Sequence, residues 1–508
     1  MRRNQLKVGT VLSFVSLILG NLISIVYTPV MLRLLGQSEY GLYNLVSSVV
    51  AYLGLLNFGF GSAYIRYYLR YKVKNDEENI AKLNGIFLIV FSIIGFVAVV
   101  AGTILALNAR LVFGSELTIS ELSTAKILLI LMAINMGISF PNVVFTSYIT
   151  ANEEFIFQKF IETIRVIANP LLTLPILLLG YGSIGIVTAA TLLSIFVEVS
   201  YAVFSFKKIN MKFAFKELDI SLVKEMTVFS SYIFMNMVID QINWNLDKFI
   251  LGRFFGTVSV AIYGLAGQLN NYYKVLSTTI SRMFIPRVNT IVSTTNDNTE
   301  LTNLFTKIGR IQFLILALGG SGLVFFGKSF ISMWAGKDYI QSYYIALLLI
   351  LPITIPLIQN IGIEIQQAKN MHQFRSWTYL IIAVLNVLIS IPLASQYGGI
   401  GAALGTALSL LVGNGFLMNW YYHNKVGLDV IYFWKEIIKF IPSLIIPFIA
   451  GTVMVYYIDL YKIIPFLLSA LAYLVIYGIS VWLMGMNQYE KNLIISPVKN
   501  LATKILNR

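Results

Sequence analysis

Apolar residues along this chain come in blocks of about twenty, the length that crosses a bilayer core as one helix. Short polar intervals separate them. The blocks lie near residues 8–32, 40–65, 83–108, 125–150, 157–179 and 184–206. After a polar linker they resume near 226–252, 257–281, 307–330, 341–367, 375–395 and 400–422, and two more follow near 437–458 and 463–485. None alternates polar with apolar positions over about ten residues, as the strands of a membrane barrel would. The pattern predicts an all-α integral membrane protein with about 14 transmembrane helices. The first block is too long for a signal peptide and lacks a small-residue cleavage site, so it is expected to stay as the first span. The longest polar interval, Pro286 to Lys307, has room for a loop or a surface helix but for no soluble domain.

Two of the blocks carry residues that lipid rejects. Asn236, Asp240, Asn243 and Asp247 are spaced four, three and four apart and form one helical stripe. Gly267, Asn271, Lys274, Thr278 and Arg282 form a second. A charged residue at mid-bilayer costs about 2.5–3.5 kcal/mol on insertion scales, so Asp240, Asp247, Lys248 and Lys274 together would cost roughly 10–14 kcal/mol facing lipid. They are expected to face an interior. A buried ion-pair staple is one use for them, but stripes this long favour a wet cavity. Lys274, Lys248, Arg282, Asn271, Asn243, Asp240 and Asp247 are therefore the candidate binding residues.

Composition agrees: 57% of the 508 residues are hydrophobic and 12% are charged, against about 25% charged in soluble domains. The net charge of +14 could suggest nucleic acid, but its placement argues against that. With the N-terminus inside, Arg33, Arg110, Lys126, Arg253, Lys328, Lys337 and Lys462 fall outside. Lys248 and Lys274 lie within spans, and the other 28 of the 37 lysines and arginines fall inside. The basic charge is an orientation signal, which predicts cytoplasmic termini and an even number of spans. Zero cysteines exclude disulfides, thiolate metal sites and cysteine nucleophiles.

The chain is duplicated. Leu35-Gly36-Gln37 through Leu45 aligns with Phe255-Gly256-Thr257 through Leu265, and Ala151, Asn169 and Pro175 align with Ala368, Asn386 and Pro392. Tyr181-Gly182-Ser183-Ile184-Gly185 then matches Tyr397-Gly398-Gly399-Ile400-Gly401. Six spans per repeat is an even number, so the repeats are parallel. The expected organisation is a six-helix lobe at 1–206, a cytoplasmic linker at 207–225, a second six-helix lobe at 226–424, and an extra helix pair with a cytoplasmic tail at 425–508. Parallel halves predict a central cleft, which the two polar stripes would line.

Other motifs carry less. Pro352 and Pro356 should kink the tenth span. Below them Asn360, Glu364 and Gln367 share a face, which makes Glu364, with Asp240, a candidate for ion coupling. Glu198 is a weaker candidate, and Glu162 with Arg165 is an i,i+3 pair that can satisfy itself. Gly322 to Ser329 fits the Walker A pattern, but a phosphate loop needs a strand before it and the cytosol around it. His372 and His423 read as loop histidines. No metal site or cofactor is implied.

The turn Gly36…Glu39-Tyr40-Gly41-Leu42-Tyr43, Asp247-Lys248 before Leu251-Gly252, and the two Tyr-Gly-x-Ile-Gly turns resemble the polysaccharide (Wzx-type) flippase branch of the multidrug/oligosaccharidyl-lipid/polysaccharide exporter superfamily. The resemblance covers roughly residues 1–425. It implies a V-shaped, two-lobe transporter that works by alternating access. Its cargo would be undecaprenyl-diphosphate-linked oligosaccharide repeat units, carried across the bacterial cytoplasmic membrane for surface polysaccharide synthesis. Membrane lipids and other polysaccharide-assembly proteins would be its partners. The resemblance also implies a cationic cleft, for which Lys248, Lys274 and Arg282 are the candidates here. A lipid II-type flippase would keep this mechanism and change the sugar. A multidrug or cation antiporter of the same superfamily would use Asp240, Asp247 or Glu364 on cations. A membrane enzyme is disfavoured, because the longest exterior loop, Ala109 to Thr124, has no histidine and only Arg110, Glu116 and Glu121 charged.

Overall fold

A computed structural model describes residues 2–216, 220–295 and 297–496. The side chains of Arg2, Arg3, Lys7 and His372, the whole of Asn296, and the tail to Arg508 lie outside the described residues. The described chain is helical throughout. Its elements are α1 (Arg2–Leu53), α2 (Phe60–Val73), α3 (Glu77–Leu107), the short α4 (Ala109–Phe113), α5 (Ile119–Ala151), α6 (Phe155–Leu178) and α7 (Gly182–Lys207). Then come α8 (Ile220–Thr294), α9 (Asn298–Trp334), α10 (Gln341–Ile358), α11 (Ile361–Ala368), α12 (His372–Leu410), α13 (Asn419–Tyr421), α14 (Val430–Ile438), α15 (Ile441–Tyr457) and α16 (Ile463–Met484). A bilayer offers backbone groups no water, which is why the apolar blocks close their hydrogen bonds within helices.

Among the described residues ten helical stretches are long and apolar enough to cross a membrane, or eleven if α14 and α15, bent by 41°, make one span. Three of these contain a glycine break. At 52 and 75 residues, α1 and α8 would measure about 78 and 112 Å as straight helices, against a core of about 30 Å. Each is interrupted by a glycine in the left-handed region, Gly36 (φ 76, ψ 169) in α1 and Gly256 (φ 74, ψ −175) in α8. Gly398 (φ 57) breaks α12. Divided at these glycines, eleven stretches become the fourteen that the hydropathy pattern predicts.

The breaks also test the duplication. Gly36 and Gly256, which the repeats align, share one backbone conformation. Gly182 and Gly398, likewise aligned, both have φ 57. Glu153 (φ 61) and Asn370 (φ 57) stand at equivalent positions too. Chance does not place three matched left-handed residues in register.

By packing, the chain divides into two compact units. Unit 1 holds residues 1–264 and 391–402, and unit 2 holds 265–390 and 403–508. The packing boundary thus falls inside α8 rather than in the linker. The first half of α8 is held in unit 1 by Phe58 stacking on Phe234 (4.5 Å between centroids) and by Arg66 over the Phe229 ring (4.6 Å). At the glycine breaks, Ser38 and Thr257 both donate to Glu121 Oε1 (2.5 and 2.7 Å), while Thr118 caps α5 against the other oxygen (2.9 Å). The two turns meet backbone to backbone: a Cβ added at Gly41 would overlap the Thr257 carbonyl oxygen. Gly41→Ala is therefore expected to force the turns apart at about 1–3 kcal/mol, read as a lower unfolding temperature. Gly478→Ala, with nothing within 4 Å of the new methyl, should lose nothing.

In unit 2 the last two spans are riveted to α9. Arg310, 3% exposed, donates through Nε and Nη2 to Glu490 (2.6 and 3.0 Å), through Nη2 to the Gly485 carbonyl (3.0 Å), and through Nη1 to the Glu436 carbonyl and carboxylate (2.8 and 3.2 Å). Its guanidinium also lies over the Phe440 ring at 4.3 Å. The helix pair outside the duplication is an integral part of unit 2.

Candidate functional site

The two polar stripes fall in different packing units. In unit 1, Asn236, Asn243 and Lys248 are half-buried and Asp240 is exposed. Asp247 is buried and accepts a short hydrogen bond from the Tyr263 hydroxyl, and its charge acts on Lys248 and Tyr52. Tyr263 follows the Gly256 break, so Asp247 ties the two arms of α8 together. The tie is a tyrosine hydrogen bond and differs from the ion-pair staple the sequence suggests. Asp240 stays accessible.

In unit 2, the second half of α8 presents two chemically distinct faces. One is packed: the Tyr273 hydroxyl donates to the Leu316 carbonyl (3.0 Å), Ser277 donates to the Leu357 carbonyl (2.7 Å), and Gln312 donates to Ser277 and Ser281. The other carries the stripe. Asn271 and Arg282 are exposed, and Lys274 and Thr278 are half-buried. The stripe thus lies on a less buried side of its helix than Tyr273, Ser277 and Ser281.

Glu364, on α11, belongs to the same unit. Its half-buried carboxylate feels the charges of Arg375 and Arg282 through space. Arg375 lies over the Tyr379 ring at 4.8 Å, and its Nε is buried with no hydrogen-bond partner among the described residues. Tyr379 in turn donates to Asn414 in the π-helical stretch that follows α12. Guanidiniums offer forked donors that suit an anion. Sequence reasoning proposed Arg282 and Glu364 separately and missed Arg375. The signal was available, since Arg375 and Tyr379 are i,i+4 at the start of a span.

Other expectations come out differently. Glu162 is paired with Lys159 (2.6 Å) and Arg165 with the Ser194 hydroxyl (3.2 Å), so the i,i+3 pair Glu162–Arg165 does not satisfy itself. A lysine one turn earlier reaches the acid first. Arg165 lines a cavity of about 410 Å³ with Ser24, Tyr27 and Asn169. Glu198 accepts from Ser139 (2.5 Å). The Walker-like stretch lies inside the unbroken helix α9, whose backbone N–H groups are engaged within the helix and cannot cradle phosphate. His423 is exposed, and among the described residues no three His, Asp or Glu side chains could hold a metal.

Compared with known families, residues 6–292, more than half of the chain, match the family described as "Polysaccharide biosynthesis protein". The chain belongs to the polysaccharide biosynthesis protein family. Among curated relatives, this family member is 21% identical to the "Putative O-antigen transporter" of Shigella flexneri over 77% of its own length and 91% of the relative's. It is 24% identical to the "Probable flippase AglR" of Haloferax volcanii over 33% of its length and 36% of the relative's. Among solved structures, the lipid II flippase MurJ in an inward closed conformation superposes with a TM-score of 0.70 at 17% identity, covering 93% of this chain and 98% of that one. An inward-facing multidrug resistance MATE family transporter of the MOP superfamily follows with 0.66 at 14%, covering 82% and 95%. The fold of this polysaccharide biosynthesis protein is thus the one shared by MurJ and MATE transporters. It is a polysaccharide biosynthesis protein built on many helices long and apolar enough to cross a membrane.

Proposed function

We propose that this protein flips undecaprenyl-diphosphate-linked oligosaccharide repeat units across the bacterial cytoplasmic membrane by alternating access, with both termini cytoplasmic. The observation that supports the reading is the stripe of exposed Asn271 and Arg282 with half-buried Lys274 and Thr278 in unit 2, with the charges of Arg282 and Arg375 both felt at the half-buried Glu364. A diphosphate cannot enter hydrocarbon bare, because desolvating its charges costs far more than lipid contacts return. Two arginines, with Lys274 two turns along the same stripe, supply the fixed donors that replace its water. Asn271 and Thr278 offer neutral hydrogen bonds suited to sugar hydroxyls. A lipid II-type cargo is the second reading, favoured by the MurJ superposition, which covers 93% of the chain.

The test is export of surface polysaccharide by a strain lacking its own copy, with membrane levels of each variant checked. Lys274→Gln is expected to cut export about 10- to 100-fold, the worth of one charge-assisted hydrogen bond, while Lys274→Arg keeps part of it. Normal export by Lys274→Gln would remove the residue from the path. Rescue of Lys274→Gln by Asp240→Asn would instead assign the lysine to neutralising that aspartate. Liposomes holding the purified protein decide the cargo: flipping of lipid II but not of an oligosaccharide-diphosphate lipid would replace the first reading with the second.

A further inference from the structure

Unit 1 contains a cavity flanked by two lysines, whose lining holds no residue of the stripes and which the proposed transport does not use. It measures about 410 Å³, and its lining includes Tyr68, Lys72, Asn75, Glu77, Tyr148 and Lys212. Three parts of the chain meet there: the end of α2 with the start of α3, the end of α5, and the linker after α7.

The linker wall is built, not draped. Asn84 donates to the Lys212 carbonyl (2.8 Å), and the Ala214 amide donates to the Ala81 carbonyl (2.9 Å). Gly85 leaves a notch in α3, where any Cβ would overlap the Ala214 carbonyl oxygen. Met211 is buried in the unit 1 core. These contacts deliver Lys212 to the rim of the cavity. On the other wall, Asn152 Oδ1 accepts from both the Tyr68 hydroxyl (2.9 Å) and Lys72 Nζ (2.7 Å), which sets the ammonium over the Tyr68 ring at 5.2 Å. At the mouth Lys212 meets Glu77 at 3.3 Å, with both side chains more than 70% exposed. Such a pair is worth little in water and yields to a better anion. The chain segments that form the cavity are basic in sequence, with Lys74 and Lys82 flanking the start of α3 and Lys207, Lys208 and Lys216 in and around the linker. Basic pockets at the ends of spans are where anionic headgroups are held, and aromatic rings mark the same depth.

We propose that this cavity binds the phosphate of an anionic phospholipid headgroup, clasped between Lys72 and Lys212. Glycerol hydroxyls would reach Asn75 and Tyr148. The inference is independent of the transported cargo. It also explains why the linker is built into unit 1, since a lipid in the cavity pins the segment before α8 to α3 and α5.

The experiment uses the full chain, purified in detergent and delipidated, with bound lipid counted by native mass spectrometry. Phosphatidylglycerol is expected to outcompete phosphatidylcholine. The double variant Lys72→Gln/Lys212→Gln should lose about thirtyfold in that preference, at about fivefold per lysine near a membrane surface. Lys72→Arg should retain it. Lys216→Gln, the same charge change in the same linker but outside the cavity, should leave it intact. Inorganic phosphate at millimolar concentration is the second arm. Displacement of the lipid by phosphate would keep the anion site and assign it to a soluble ligand. Equal retention of both lipids, or a double variant that matches the parent, would overturn the proposal.

Discussion

Arg310→Ala should destabilise unit 2 by about 3–5 kcal/mol, the cost of stranding a buried carboxylate after its partner is removed. Glu490 is 3% exposed, and two of its hydrogen bonds come from Arg310. Glu436 keeps Lys439 as a partner, so the damage concentrates at Glu490. Because the guanidinium joins α9 to the ends of α14 and α16, the expected result is release of the last helix pair. It would be read as a lower unfolding temperature in detergent and new protease cleavage near Gly485. Arg310→Lys should fare almost as badly, since a single ammonium cannot serve Glu490, Glu436 and the Gly485 carbonyl together. Arg310→Met with Glu490→Leu should recover much of the loss, because an apolar pair leaves no buried charge unmatched. A stable Arg310→Ala protein with an intact C-terminal region would mean the network is not what holds the helix pair.

Export should collapse when both arginines around Glu364 are neutralised. Each charge-assisted contact is worth about 1.5–3 kcal/mol. Arg282→Gln/Arg375→Gln should therefore lose about 3–6 kcal/mol of cargo binding, two to four orders of magnitude. The lysine versions should keep part of the activity and lose the bidentate geometry. The competing account is that the arginines serve only to balance Glu364. It makes a different prediction, in which adding Glu364→Gln to the double variant restores export. Full export by the double glutamine variant would remove this cluster from the transport path. Arg375 carries the sharper test of the two, because its Nε is buried with no hydrogen-bond partner among the described residues.

What the chain alone determined is whatever rests on period and spacing. Blocks of about twenty apolar residues force helices, and fourteen of them follow from hydropathy because lipid gives every span the same requirement. The duplication was legible at Gly36 and Gly256, and the structure bears it out in matched dihedrals, since only glycine takes that conformation without strain. The stripe from Asn271 to Arg282 was legible for the same reason: i,i+3 and i,i+4 positions share a face whatever packs behind them. Tertiary structure alone decided who meets whom. Asp240 and Asp247 read alike in sequence, yet one is exposed and the other is held by Tyr263 sixteen residues later. The charge of Arg375 came to act on Glu364, eleven residues earlier in sequence, only through the fold. Arg310 lies 180 residues from Glu490, a separation at which local pattern carries no information, and burial makes removing one partner of that pair cost about 3–5 kcal/mol.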